Sequence, residues 1–214
     1  MSKNDLITRE KILEIAKAEF LDKGFANASL RGIVKDAGVT TGSFYWYYKS
    51  KYELFDAIVE SHYNNIMNMY KKGYSTFFDI ESNNKSGDRI SSHLDSVISI
   101  LEYMYEYKVE FKILIDGSSG TRYENIIHDI TVCGMEEMHK FHSYLEHIGI
   151  SVKKLSSDTE HILISGMFAS LFELITHDVP IDNARVCVKE LYDFYMAGWM
   201  HIMDVKLDLS KTKW

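Results

Sequence analysis

The sequence predicts an all-α protein of roughly nine helices, with a three-helix, helix-turn-helix arrangement at its amino end and a longer helical body behind it. Three observations carry that prediction. Pro180 is the only proline in 214 residues, and turn residues seldom cluster, so long helices suit the chain better than many short strands. Apolar residues recur at helical spacing in segment after segment. Several of those segments are preceded by Ser or Thr placed to cap a helix.

The first helix is predicted from about Asp5 to Lys23, with Ile12, Leu13, Ala16 and Phe20 at helical spacing and Gly24 as a stop. Ser29 caps a second helix, in which Leu30, Ile33, Val34 and Ala37 fall at i, i+3, i+4 and i+7, and Gly38 ends it. Thr40 caps a third, very short helix, with Val39 and Phe44 spaced as a hydrophobic staple. Ser50 and Glu53 form a capping box that opens a fourth helix from Lys51 to about Lys72. The polar run Ser82–Asp88 reads as a loop. Helical patterns resume over Arg89–Tyr107, Val109–Asp116, Arg122–Ile148, Ser157–His177 and Asp182–Val205. The breaks fall at Gly117–Gly120, Gly149 and around Pro180. The domain division predicted is 1–50 and 51–214.

Hydrophobic residues make up 46% of the chain, which places it among globular proteins. No apolar run is long enough to cross a bilayer and the first residues lack the apolar segment of a secretory signal, so a cytoplasmic protein with no membrane partner is expected. Cys133 and Cys187 form no CxxC pair and read as small reduced core residues. No GxSxG elbow, P-loop, HExxH or dinucleotide-binding glycine pattern is present, so neither an enzyme nor a cofactor is expected. The net charge of −7 is unevenly spread. Residues 1–52 hold nine Lys or Arg against six Asp or Glu, and the remainder holds 15 against 25. A basic end on an acidic body suggests that one partner is negatively charged.

Five consecutive aromatic residues, Phe44 to Tyr48, cannot all enter one core. Two helices meeting through the turn Ala37-Gly38-Val39 have the layout of a helix-turn-helix, whose second helix enters the major groove. If Val39, Phe44 and Tyr48 point inward, Thr41, Gly42, Ser43, Tyr45, Trp46 and Tyr47 are left for the sides and outer face. Tyr45 and Lys51 are then candidates for phosphate, the hydroxyls of Thr41 and Ser43 for bases or phosphates, and Arg31, one turn into the second helix, for the edge of guanine; Ser29 and Thr40 join them as DNA-binding candidates.

The stretches REKILEIAKAEFLDKGF and SLRGIVKDAGVTTGSFYWYYKSKYEL closely resemble the DNA-binding domain of the tetracycline-repressor (TetR) family. Ile12, Leu13, Ala16, Gly24 and Phe25 match its first helix; Ile33, Ala37, Gly38, Val39, Gly42, Phe44, Tyr45, Tyr47, Ser50, Lys51 and Leu54 match the rest. Val34 and Tyr48 stand where the family has alanine and phenylalanine. The resemblance covers about the first quarter of the chain.

It implies a homodimeric regulator, acting on a palindromic double-stranded DNA operator and released by a small-molecule effector bound in the body. It also implies a dimer interface on the last two helices, for which Ile164, Met167, Leu171, Leu174, Leu191, Tyr195 and Trp199 are candidates. Tyr103, Tyr107, Phe111, Met138 and His142 are candidates for the effector pocket, with Met135 and Phe141 nearby. Glu102, Glu106 and Glu110 recur on one face and read as solvated. His139 and His142, with His147, Cys133, Met135 and Glu136 near, raise a metal sensor as an alternative, and an adaptor that kept the scaffold without binding DNA is another.

Overall fold

Among the described residues of this computed structural model, which are 3–79, 86–147 and 149–205, every regular element is a helix. The order is α1 (Lys3–Asn27), α2 (Leu30–Asp36), α3 (Thr41–Tyr47), α4 (Lys51–Asp79), α5 (Ser86–Glu106), α6 (Lys108–Asp116), α7 (Ile126–His147), α8 (Ser157–Thr176) and α9 (Ile181–Ile202). The all-α expectation therefore holds.

The caps operate as the sequence spacing suggests. Ser29 accepts from the Gly32 amide at 3.1 Å, and Thr40 from that of Ser43 at 3.0 Å. Ser50 accepts from the Glu53 amide, while Glu53 accepts in return from the amide of Lys49. Gly24 breaks α1 with φ 67° and ψ 167°, a conformation closed to side-chain-bearing residues.

Several boundaries differ from expectation, among them the end of α9 at Ile202 and not Val205. α4 runs on past Lys72 because Gly73 does not stop it: a Cβ there would stand 3.1 Å from that of Ser96, so the glycine admits α5 instead. α7 starts at Ile126 and not at Arg122. The intervening residues are held in a turn by side-chain oxygens: Thr121 Oγ1 donates to Ser118 O and accepts from the Tyr123 amide, and Glu124 accepts from that of Gly120. Of the loop expected over Ser82–Asp88, residues 82–85 lie outside the described residues, and α5 takes up Ser86–Asp88; Ile148 also lies outside them.

The chain forms two compact units. The first comprises Met1–Asn65 with Tyr107–Ile126. Its core is the α1 stripe of Ile12, Ala16 and Phe20, fully buried with Phe44, Leu54, Phe55, Phe111 and Leu114. Each large side chain so buried stabilises the fold by about 1.5–3 kcal/mol. Phe55 receives Phe20 and Phe25 edge-on, with ring centres 5.1 and 5.3 Å away. α6 closes this unit along α1. Lys17 of α1 pairs with Glu110 of α6 at 2.6 Å. Burial opposes both charges, but the mutual hydrogen bond and field outweigh it, holding Lys17 above and Glu110 below their ordinary pKa values. Glu110 is therefore buried and not part of a solvated acidic face.

The second unit comprises Ile66–Glu106 with Ile127–Trp214. In it α5 packs on α8 and α9. Tyr105 fastens α5 to the end of α8 by donating between Leu174 O (3.2 Å) and Val179 O (2.6 Å). Gly134 brings α7 close to α8, since a Cβ there would stand 2.7 Å from Ile164 Cγ2. Cys133 and Cys187 are both free.

Backbone meets backbone in the first unit at Gly117. The Phe25 amide donates to Gly117 O at 2.7 Å. A Cβ on Gly117 would lie 2.8 Å from Ile113 O and 3.2 Å from Phe20 O. Gly117→Ala is expected to destabilise the fold by about 1–3 kcal/mol through overpacking, read as a lower urea midpoint.

Candidate functional site

The helix-turn-helix is built from two seven-residue helices. Between them Gly38 takes φ +65°, which lets the Val39 amide return to Val34 O at 3.2 Å. α3 is pinned by Phe44 (0% exposed) and Tyr48 (2% exposed), whose rings lie 5.9 Å apart. Burial pushes the Tyr48 phenol up, against the opposing influence of Arg9.

With those two rings inside, the opposite side of α3 is open. Thr41, Gly42, Tyr45 and Trp46 are exposed, and Ser43 and Tyr47 are half-buried. Trp46 stands edge-on to Tyr47 at 4.7 Å, and Tyr47 in turn donates to Asp5 of α1 at 3.4 Å. Tyr45 stands edge-on to Phe44 at 5.4 Å. Neither exposed ring is loose; each is braced by an inner neighbour. Arg31, Ser29 and Thr40 are exposed, the last two with their hydroxyls already capping helices.

Lys51 has an occupation that its position in the sequence does not reveal. Its Nζ donates to Phe25 O at 2.6 Å and Ala28 O at 3.0 Å, and lies 4.5 Å from the centre of the Phe25 ring. It satisfies carbonyls left over at the end of α1. An ammonium has three N–H bonds, so one remains for an outside acceptor. Lys11, passed over in the sequence, lies beside the turn: its Nζ is 3.5 Å from where a Gly38 Cβ would stand.

The second unit contains a cavity lined from α4, α5, α7, α8 and α9, with about 1160 Å³ of empty space including its open mouth. Met138 and Phe141 line it, as do Tyr70, His93, Met104, Phe168 and Tyr192. The other pocket candidates stand elsewhere. Tyr107 and Phe111 belong to the first unit, beside His62. Tyr103 is not in the lining, and His142 turns its Nε2 to Met203 Sδ at 3.0 Å. His139 pairs with buried Glu160 at 2.9 Å. Among the described residues, no group of three or more His, Cys, Asp or Glu is arranged to hold a metal.

The residues picked for an interface on α8 and α9 are partly committed already. Ile164, Met167, Leu171, Leu191, Tyr195 and Trp199 all line the cavity of their own chain, and Leu174 is buried. The large apolar side chains that α8 and α9 leave exposed are Ile162, Val186 and Phe194.

Residues 12–58 match the model of the bacterial regulatory proteins of the tetR family. These residues form a TetR-family domain. The regulator AcrR of Shigella flexneri is 35% identical over 95 residues, an alignment spanning 44% of this chain and 40% of AcrR. The chain thus spans well under two thirds of that relative's length. The likeness of fold extends further than this sequence match. A transcriptional regulator of Aquifex aeolicus VF5 superposes with a TM-score of 0.58 at 23% identity, covering 87% of this chain and 98% of its own. SmeT, solved as a complex with triclosan, superposes with a TM-score of 0.56 at 20% identity, covering 90% and 91%. No helix among the described residues is long and apolar enough to cross a membrane.

His93 is one of the cavity residues that sequence reading missed, although a signal existed: it shares a helical stripe with Val97, Ile100 and Met104. Its Nδ1 shares a hydrogen bond with the Tyr192 hydroxyl at 3.1 Å. Burial pushes it down to about 4. The folded chain therefore keeps His93 neutral while the unfolded chain protonates it near 6.5, so its contribution is complete above pH 6.5 and is lost as pH falls towards 4. The loss is expected to reach about 3 kcal/mol. Urea midpoints at pH 7 and pH 4.5 should differ less in His93→Gln than in the parent.

Proposed function

We propose that this protein is a ligand-responsive transcriptional regulator, a repressor that binds a palindromic operator as a homodimer and is released by a small-molecule effector. The carrying observation is the anchored α3, whose outer face of Thr41, Gly42, Tyr45 and Trp46 takes no part in its own core. In this reading residues 1–50 hold DNA and residues 51–214 bind effector and partner subunit. Ser43 and Tyr47 flank the reading face. Tyr45 and the remaining N–H of Lys51 reach phosphates, with Ser29 and Thr40 nearby, and Arg31 addresses a base edge. Two such units serve a palindrome only if they stand one helical turn, about 34 Å, or a multiple apart.

The cavity of the second unit is the proposed effector site, with Met138 the candidate that lines it. An effector acts by binding one dimer spacing better than the other, and by no more than that difference. SmeT, a neighbour in fold, was solved with triclosan, which supports a small-molecule effector for this chain. For the dimer, Phe194, 71% exposed on α9, supplies apolar surface next to half-buried Tyr195 and Leu191. A cytoplasmic location follows from the same reading.

Operator binding by gel shift is expected to weaken about a thousandfold or more between 50 and 200 mM salt, as phosphate contacts release counterions. A flat response removes the DNA assignment. Gly42→Ala separates fold from function. It is expected to raise stability by about 0.5–1 kcal/mol, because alanine favours a helix, and to weaken operator binding by crowding the outer face.

A further inference from the structure

The seven residues of α3, TGSFYWY, include no Arg, Lys, Asn or Gln. Those are the side chains that grip guanine or adenine through paired hydrogen bonds in the major groove. Hydroxyls from Thr41 and Tyr45 can bond to more than one base, so they discriminate little. Apart from Arg31 on α2, what remains for discrimination by α3 itself is apolar surface. The one apolar group that a base pair shows in the major groove is the C5-methyl of thymine.

Two features of α3 suit that group. Trp46 is 59% exposed, yet its ring is held edge-on by Tyr47, itself tied to Asp5. Gly42 lies one turn before it on the same face. A Cβ added there meets nothing nearer than Thr40 Oγ1 at 3.9 Å, so the chain's own packing does not demand glycine. Glycine within a helix costs stability relative to alanine. Its absence of side chain leaves a hollow one turn before Trp46, the size of the methyl that alanine would place there.

Resting on the DNA-binding reading above, we propose that Trp46, with the hollow at Gly42, reads thymine methyl groups, so that each operator half-site carries thymine where α3 lies in the groove. Trp46 is then a specificity-determining residue that works by apolar contact and not by hydrogen bonding.

The test begins with a site selected by the full-length protein from a random-sequence duplex pool. That site is resynthesised with deoxyuridine in place of thymine, one position at a time, which removes only the methyl. Binding is expected to weaken about fourfold for each contacted methyl removed, the worth of one buried methyl-sized group. Trp46→Ala is expected to bind thymine and deoxyuridine duplexes alike, and Trp46→Phe to keep part of the difference. The deoxyuridine series uses unaltered protein, so it does not depend on either variant folding. A selected site that binds equally well after every thymine is replaced overturns the thymine reading and leaves DNA binding standing. A pool that yields no preferred sequence overturns both.

Discussion

The anchoring of α3 by Phe44 and Tyr48 is the constraint on which the rest of the reading head depends. A seven-residue helix has too few hydrogen bonds to hold itself together in water. Here it persists because Thr40 caps its start and two rings are sunk into the core behind it. Everything on the outer face takes its position from those two rings. The exposed Tyr45 and Trp46 stand edge-on against inner neighbours, so little side-chain freedom is left to lose when a partner binds.

The unit that contains this helix extends beyond residue 50 for a related reason. The core that α1, α2 and α3 begin is shared with later helices. Leu54 and Phe55, at the start of α4, complete the core, and Phe111 and Leu114 of α6 close it. Lys51 joins the same assembly by satisfying the carbonyls of Phe25 and Ala28. The beginning of α4 is therefore structural material of the first unit, whatever functional division the chain observes.

The legible parts of this protein were those written locally. Ser29, Thr40 and Ser50 announce helix starts because a cap acts within three residues, and Gly24 and Gly38 announce breaks for the same reason. The inward direction of Phe44 and Tyr48 follows from their spacing. The illegible parts depend on distant partners. Nothing near Lys51 names carbonyls more than twenty residues earlier. Helical periodicity says that Met167, Leu171 and Tyr195 leave water, but a cavity wall and a subunit interface have the same apolar signature, so the pattern could not separate them. Tyr107 and Phe111 looked like pocket residues for their chemistry, but they fall in the other unit. The start of α7 was hidden because Arg122–Asn125 is helical in composition and is diverted by hydroxyls at Ser118 and Thr121.

The seam between α1 and α6 at Gly117 is made from main-chain atoms, where most helix contacts are made from side chains. Side-chain contacts can drift, because a larger residue on one helix is offset by a smaller one on the other. A contact between the Phe25 amide and the Gly117 carbonyl offers no such exchange. Related chains that share this joint should therefore keep the distance across it fixed, whatever side chains they change on either helix.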